Sequence, residues 1–353
     1  CALAQEEDTY VQEQFETAGG GDAADAASPA TSFDPDFDFS ETVSSVAQGK
    51  NGFSLKNLME NLSDLLFGQL KEHLATCGQL VLLTVVLSMV SKFLPEHTDT
   101  METAFFVCYT LLFTIAARSF QEAFLIAAEA VDQMSVLMRA TVPLLAGLTI
   151  SSGGIVKTGM FTLATTGLSA ATLVVQSVVM PLCSVCMALC CANNLSQDIT
   201  LRPLYQTLKK LLLWVLGILA TVFTALVSLS GMSSSALTGV GGKAIKYTAN
   251  LVPVVGSMLS ASLDSVMAYG KVIKSATGVA GILAVLYIGV VPIVKLGCMI
   301  LSYRLASCLM APVGDSRLCG AVDDIAGTLT IINGCVIAVT VMFTVCMGTV
   351  ASV

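Results

Sequence analysis

Charged residues are scarce in this sequence, and their scarcity excludes an ordinary soluble domain. Only 12% of the 353 residues are Asp, Glu, Lys or Arg, whereas 55% are hydrophobic. Soluble domains usually carry about 25% charged residues, so a soluble core could not cover this much apolar surface. The composition predicts an all-α, polytopic helical membrane protein with about six to eight spans, each needing roughly 20 apolar residues.

Basic patches are also lacking, which excludes nucleic-acid binding, because nothing would neutralise the phosphates. Residues 1–50 hold eleven acids and one base, Lys50, while the other 303 residues hold 14 acids and 16 bases. The net charge of −8 therefore comes from this first segment. An acidic segment without apolar periodicity cannot bury enough surface to offset its ordering entropy. We expect residues 5–50 to be a disordered acidic arm on the extracytoplasmic side.

The first five residues resemble the end of a secretory signal. Ala2 and Ala4 match the small-residue rule for cleavage, with Gln5 as the first mature residue. The alternative is that Cys1 is a lipidated N-terminus. Both interpretations begin the acidic arm outside the cytoplasm.

Histidines number only two, and the metal and catalytic motifs that depend on them are absent from the sequence. Cys183, Cys186, Cys190 and Cys191 have zinc-like spacing at one end of the cluster, but no second Cys-x-x-Cys and no nearby His complete a site. We expect these cysteines to be small packing residues. No Gly-x-Ser-x-Gly or His-Glu-x-x-His motif occurs, so we expect no enzyme activity and no cofactor.

Apolar periodicity divides the rest of the chain. Within 51–72, apolar residues recur every three or four positions from Phe53 to Leu70, which predicts an amphipathic helix on the membrane or on a partner. Residues 73–353 then form a multi-span membrane domain. The predicted spans are 74–94, 104–117, 158–197 (with Pro181 at a kink or extension), 211–229, 276–303 and 327–350, with weaker candidates at 142–150 and 251–269. Arg202, Lys209 and Lys210 favour a cytoplasmic loop.

The most informative pattern is a polar stripe on a helix over 116–140. At 100° per residue its five charged members fall within an arc of roughly 100°. They are Arg118, Glu122, Glu129, Asp132 and Arg139. Charges at membrane depth are costly, so they normally face a bundle interior, a water-filled path or one another. The stripe is either the lining of a passage or a contact between subunits, or the wet side of an interfacial helix.

A second helix repeats this pattern with Asp264, Lys271 and Lys274, and Lys295 lies inside an apolar run. These residues are candidate partners of the stripe, and the alternative for Lys295 is a side chain that extends to the membrane surface. Glycine-rich segments at 147–154 and 231–242 predict broken helices, re-entrant loops or plain turns. The second resembles a phosphate loop but has Leu237 and Ala244 at two essential positions, so it predicts no nucleotide site.

Several segments together resemble one family. They are GLTISSGGIV at 147–156, and within 226–282 a Gly-Lys-Ala-x-Lys-Tyr core, Val-Pro-Val-Val-Gly and Thr-Gly-Val-Ala-Gly before a long span. Over about residues 55–350 the chain resembles stage III sporulation protein AE of endospore-forming Firmicutes. The acidic arm lies outside the resemblance.

The resemblance implies a role in sporulation, as a non-enzymatic membrane subunit of the channel between mother cell and forespore. It implies a multi-pass protein in the mother-cell membrane around the forespore. The implied partners are the other stage III sporulation A proteins, including an ATPase and ring-forming subunits, and indirectly stage II sporulation protein Q. The resemblance supplies no catalytic residues. The alternative function is a self-contained secondary transporter with a midplane substrate site, which inverted repeats would favour.

Overall fold

The structure is a computed structural model that describes the backbone of residues 15–17, 19–49, 55–93, 99–151, 158–195, 201–249, 256–312 and 316–352. Side chains are described over 15–17, 19–49, 59–89, 103–150, 166–193, 201–225, 270–312 and 317–351. The predicted signal-sequence end at 1–5 lies outside these residues.

Helices make up nearly all of the described chain. In chain order they are α1 (Gly20–Ala27), a 3-10 turn (Ser28–Ser32), α2 (Phe39–Ala47), α3 (Leu55–Phe93), α4 (Asp99–Ser151), α5 (Thr158–Val174), a π turn (Val175–Val179), α6 (Met180–Leu195), α7 (Arg202–Ala249), α8 (Gly256–Met310) and α9 (Ser316–Ser352). Six segments are long and apolar enough to cross a membrane: Met59–Met89, Thr103–Ile150, Thr166–Asn193, Arg202–Ala225, Gly270–Met310 and Arg317–Ala351. The predicted all-α, multi-span class is confirmed.

The centre of the bundle is the antiparallel pair α8 and α9, which share the most extensive helix contact. Gly278, Gly281 and Gly289 of α8 lie directly against α9. A methyl group at Gly289 would come within 2.6 Å of Cγ2 and Oγ1 of Thr340. Small residues let two helix backbones approach closely, and close packing drives helix association where the lipid is as apolar as the core. Two of these glycines belong to the Thr-Gly-Val-Ala-Gly motif at 277–281.

Helix α4 packs along both central helices. Tyr303 of α8 shares a 2.8 Å hydrogen bond with Ser119 of α4, between two buried hydroxyls. Thr340 and Met347 of α9 meet Met134 and Thr141 of α4 through hydroxyl–sulfur contacts of 3.6 and 3.7 Å. Helix α3 packs against α8 and α4, whereas α6 and α7 pack against α9.

The charge-free stretch 158–197 changes its pattern of backbone hydrogen bonds next to its proline. A π turn over Val175–Val179 separates α5 from α6, and Pro181 follows at the second position of α6. Because proline has no N–H to donate, the series of backbone hydrogen bonds along the helix must rearrange near it. A π turn, with its longer hydrogen-bond spacing, is one such rearrangement. The Met180 N–H donates to the Val175 carbonyl across this turn.

The predicted disorder of the acidic arm is wrong for residues 19–49. Two short helices and a 3-10 turn form there and pack on α4 and α8. The rings of Phe33 and Phe37 lie 5.1 and 5.2 Å from that of Tyr287, and the Asp38 carboxylate caps α2 by accepting from the Glu41 N–H at 2.9 Å. Scattered phenylalanines among the acids supply the apolar surface that the average composition conceals.

Two further predictions differ from the structure. No break separates an amphipathic helix at 51–72 from the first span, because α3 runs unbroken over Leu55–Phe93. Predicted turns or helix breaks at 231–242 are also wrong, since α7 continues through them to Ala249. The described part of the weak span candidate 251–269 is the beginning of α8, and 142–150 is the end of α4.

Candidate functional site

Helix contacts give a common scale of depth along α4, α8 and α9. Two contacts pair α4 with α9 at a constant offset of 206 residues. The midpoint of the α9 span Arg317–Ala351, position 334, is therefore level with position 128 of α4. The midpoint of the α4 span Thr103–Ile150 falls between 126 and 127. The midpoint of the α8 span Gly270–Met310, position 290, is level with position 132 of α4, so the three span midpoints lie within six residues of one another.

The five charged residues of the α4 stripe all point away from the bundle. Arg118, Glu122, Glu129, Asp132 and Arg139 are each exposed, whereas Ala123, Ala127 and Ala130 of the same helix are buried. In the part of the chain that the structure describes, the only hydrogen bond or ion pair of these five side chains is the 3.1 Å hydrogen bond that the Gln133 side chain donates to Glu129. We call this surface the charged face of α4.

The members of the charged face lie at different depths. Arg118 and Arg139 are ten and eleven residues from position 128, about 15 and 16 Å at 1.5 Å per residue. The two arginines are therefore 21 residues or about 32 Å apart, close to the roughly 30 Å thickness of a hydrocarbon core. Glu122, Glu129 and Asp132 lie about 9, 2 and 6 Å from the level of position 128. The three carboxylates thus lie between the two arginines along the helix.

Lys295 lies at the same level as these carboxylates but on α8. It precedes Tyr303 by eight residues, so it is level with position 127 of α4, eight residues beyond Ser119. Its side chain is half-buried. Asn333 of α9 falls at this level too, and its buried Oδ1 atom has no hydrogen-bond partner among the described residues. One polar layer therefore crosses the middle of the bundle.

The second predicted charged helix lies further along α8. Lys274 is buried and Lys271 is exposed, and the side chain of Asp264 lies outside the described residues. Lys274 precedes Tyr303 by 29 residues, which places it level with position 148 of α4. That level is about 14 Å beyond Arg139. The two sets of charges therefore sit at different depths.

A polar cleft of about 400 Å³ opens between α4 and α5 beside the π turn. Arg139 is the only charged residue among those that line it. Its polar lining is Ser135, Ser169, Thr172, Gln176 and Ser177, and its apolar lining is Met138, Leu168, Leu173 and Phe343. The sequence analysis missed this cleft, since only the position of Pro181 hinted at irregular backbone.

The opposite end of the bundle, where α9 begins, carries five of the eleven basic residues whose side chains the structure describes. We call it the Arg317 end. Tyr205 donates 2.8 Å to the Asp324 carbonyl, and the Lys209 ammonium lies over Gly327, where an added methyl group would meet Nζ at 2.5 Å. The Arg317 guanidinium stacks 4.1 Å from the Phe105 ring centre, and Arg304 pairs with Asp323. Tyr109 donates 2.6 Å to the Cys191 carbonyl.

The four clustered cysteines are buried along α6, which packs against α9. Across the residues with described positions, no three His, Cys, Asp or Glu side chains come together in a way that could hold a metal ion. Their burial at this interface is typical of free cysteines, which pack as small hydrophobic residues.

The fold and its charged mid-level layer define a polytopic α-helical membrane protein. The sequence model of the family "Stage III sporulation protein AE" matches residues 37–353. A relative of that name from Bacillus subtilis is 26% identical over 305 residues, which cover 84% of this chain and 75% of the relative. No solved structure matches. The chain belongs to the stage III sporulation protein AE family, as its sequence motifs indicated.

Proposed function

We propose that this protein is a non-enzymatic membrane subunit of the channel between mother cell and forespore, and that it works only within a larger assembly. Membership of a sporulation family and six apolar helices support a role in sporulation at a membrane. The observation that carries the finer proposal is the charged face of α4. Three of its carboxylates are exposed on the outside of the bundle within a candidate span, and we infer that they lie at hydrocarbon depth.

Insertion measurements give a cost of about 2.5–3.5 kcal/mol for a charged side chain at the centre of a membrane helix. Glu122, Glu129 and Asp132 together would therefore make a single chain in lipid costly. Contact with another subunit, or a water-filled passage between subunits, removes that cost. The proposed partners are the ATPase and ring-forming stage III sporulation A proteins, with stage II sporulation protein Q reached indirectly.

We further infer the orientation of the chain in the mother-cell membrane. Basic residues at the Arg317 end are Arg202, Lys209, Lys210, Arg304 and Arg317, and an excess of Lys and Arg marks the cytoplasmic side. Tyr287, on which the N-terminal helices pack, lies 16 residues from Tyr303 toward the other end. We therefore infer that the acidic arm lies on the extracytoplasmic side.

The test is blue-native electrophoresis of the tagged protein from sporulating cells, with mass spectrometry of the proteins that migrate with it. We expect the ATPase and ring subunits to be recovered with the wild type. Glu129→Gln and Asp132→Asn separate the two roles of the charged face. A subunit contact requires reduced assembly or protein level, whereas a passage lining requires normal assembly with failed sporulation. Asp25→Asn, an exposed acid of α1 outside the spans, is the matched control.

Two outcomes would contradict the proposal. Recovery of the wild type alone, as a compact monomer or dimer, would favour a self-contained secondary transporter with its own substrate site. Unchanged assembly and unchanged sporulation in both variants would remove any role for the charged face.

A further inference from the structure

The cleft between α4 and α5 has the chemistry of an anion site. Arg139 supplies a guanidinium, and hydroxyl and amide groups surround it, with no acidic residue in the lining. Within the described residues Arg139 has no carboxylate within ion-pair distance. Its nearest acid on the charged face is Asp132, seven residues or about 10 Å away along the helix.

The depth of the cleft narrows the choice of ligand. Arg139 lies about 16 Å from the level of position 128, a distance close to half the thickness of a typical hydrocarbon core. Lipid phosphates gather just beyond that edge, and arginine binds phosphate through a two-pronged set of hydrogen bonds. The apolar side of the cleft, including Leu173 at 64% exposure, faces outward where acyl chains would lie.

The π turn contributes two of the polar residues that line the cleft. Gln176 and Ser177 are exposed within this turn, five and four residues before Pro181. Extra-wide turns of this type occur frequently at functional sites. Ser135 and Thr172 are buried lining residues, each less than a tenth exposed, and the Ser135 and Ser177 hydroxyls donate to the Val131 and Leu173 carbonyls.

We propose that this cleft binds a phosphate-bearing anion, with Arg139 as its charge partner and the Ser169, Thr172 and Gln176 side chains as hydrogen-bonding groups. The phosphate comes either from the headgroup of an anionic phospholipid or from a soluble phosphate. The proposal does not rest on the proposed channel function, because it needs Arg139 and the lining of the cleft but none of the carboxylates of the charged face.

The experiment is native mass spectrometry of the full-length purified protein with phosphatidylglycerol, with phosphatidylcholine, and with inorganic phosphate alone. We expect retention of phosphatidylglycerol over phosphatidylcholine, and a loss of about tenfold in its apparent affinity in Arg139→Gln. Ser169→Leu, which fills the cleft and keeps the charge, should weaken binding as well. Arg202→Gln removes an exposed arginine at the start of α7 and should leave binding unchanged.

The other outcomes of the experiment decide whether the site exists and whether its phosphate comes from a lipid or from solution. Arg139-dependent binding of inorganic phosphate without lipid selectivity would support the site and identify its ligand as a soluble phosphate. Equal losses in Arg139→Gln and Arg202→Gln would overturn the proposal, as would unchanged phosphatidylglycerol binding in Arg139→Gln and Ser169→Leu. If Arg139→Gln does not accumulate, Ser169→Leu alone decides between these outcomes.

Discussion

The α8–α9 interface and the charged face of α4 lie at similar levels of the bundle but differ in what covers them. At the interface, glycines bring two backbones together, and the surrounding side chains are small, apolar and buried. On the charged face, carboxylates at the same depth point outward without a cation from the described chain. The first surface is covered by helices of the same chain, whereas the second needs water or another subunit beside its carboxylates. A helix bundle can therefore fold alone and still expose a surface that requires a partner.

Gly289→Ala should have the largest effect on the stability of the bundle, because it disrupts the interface between α8 and α9. Its methyl group would lie 2.6 Å from the Thr340 side chain and 3.2 Å from Cβ of that residue, which cannot rotate away. Overpacking of this kind typically costs about 1–3 kcal/mol. We expect lower accumulation in membranes and a lower unfolding temperature in detergent.

Gly297→Ala on the same helix is the control, because no atom lies within 4 Å of its added methyl group. Alanine is the better helix former by up to about 1 kcal/mol, so this variant should be as stable as the wild type or more so. Equal unfolding temperatures for the two alanine variants would show that α8 and α9 do not approach at Gly289.

The sequence predicted the membrane class and most spans because long apolar runs have few other uses. It also placed the five charges of α4 on one helix face, since helix periodicity alone determines that. It did not predict which way they point, because direction depends on which neighbours cover Ala123 and Ala127. The sequence did not predict the α8–α9 contact for the same reason, because glycine spacing on one helix does not identify the partner helix.

The acidic arm gives a second comparison, between its acidic average composition and the few aromatic residues that attach it to the bundle. Phe33→Ala removes a ring that is 7% exposed and lies 5.1 Å from the Tyr287 ring. Removing a buried phenylalanine costs about 3–5 kcal/mol in a core. Here the loss should release the arm locally, so limited proteolysis should cut within 19–49 while the bundle keeps its unfolding temperature.

Phe106→Ala is the control for the arm, because Phe106 is 56% exposed on α4. Cleavage of the arm at the same rate in wild type and Phe33→Ala would mean that the arm does not dock on Tyr287. A joint fall in the unfolding temperature would instead make the arm part of the bundle core.

Glu122→Gln should have the smallest effect on the isolated protein, and it sharpens the first comparison. Glu122 is exposed, and surface substitutions away from specific contacts usually change stability by less than about 0.5 kcal/mol. In detergent, where water reaches the charged face, the unfolding temperature should match that of the wild type. A loss as large as that of Gly289→Ala would show that a part of this same chain covers the charged face. The charged face contributes little to the stability of the isolated protein until another subunit covers it. Glu122→Gln should therefore change assembly rather than folding.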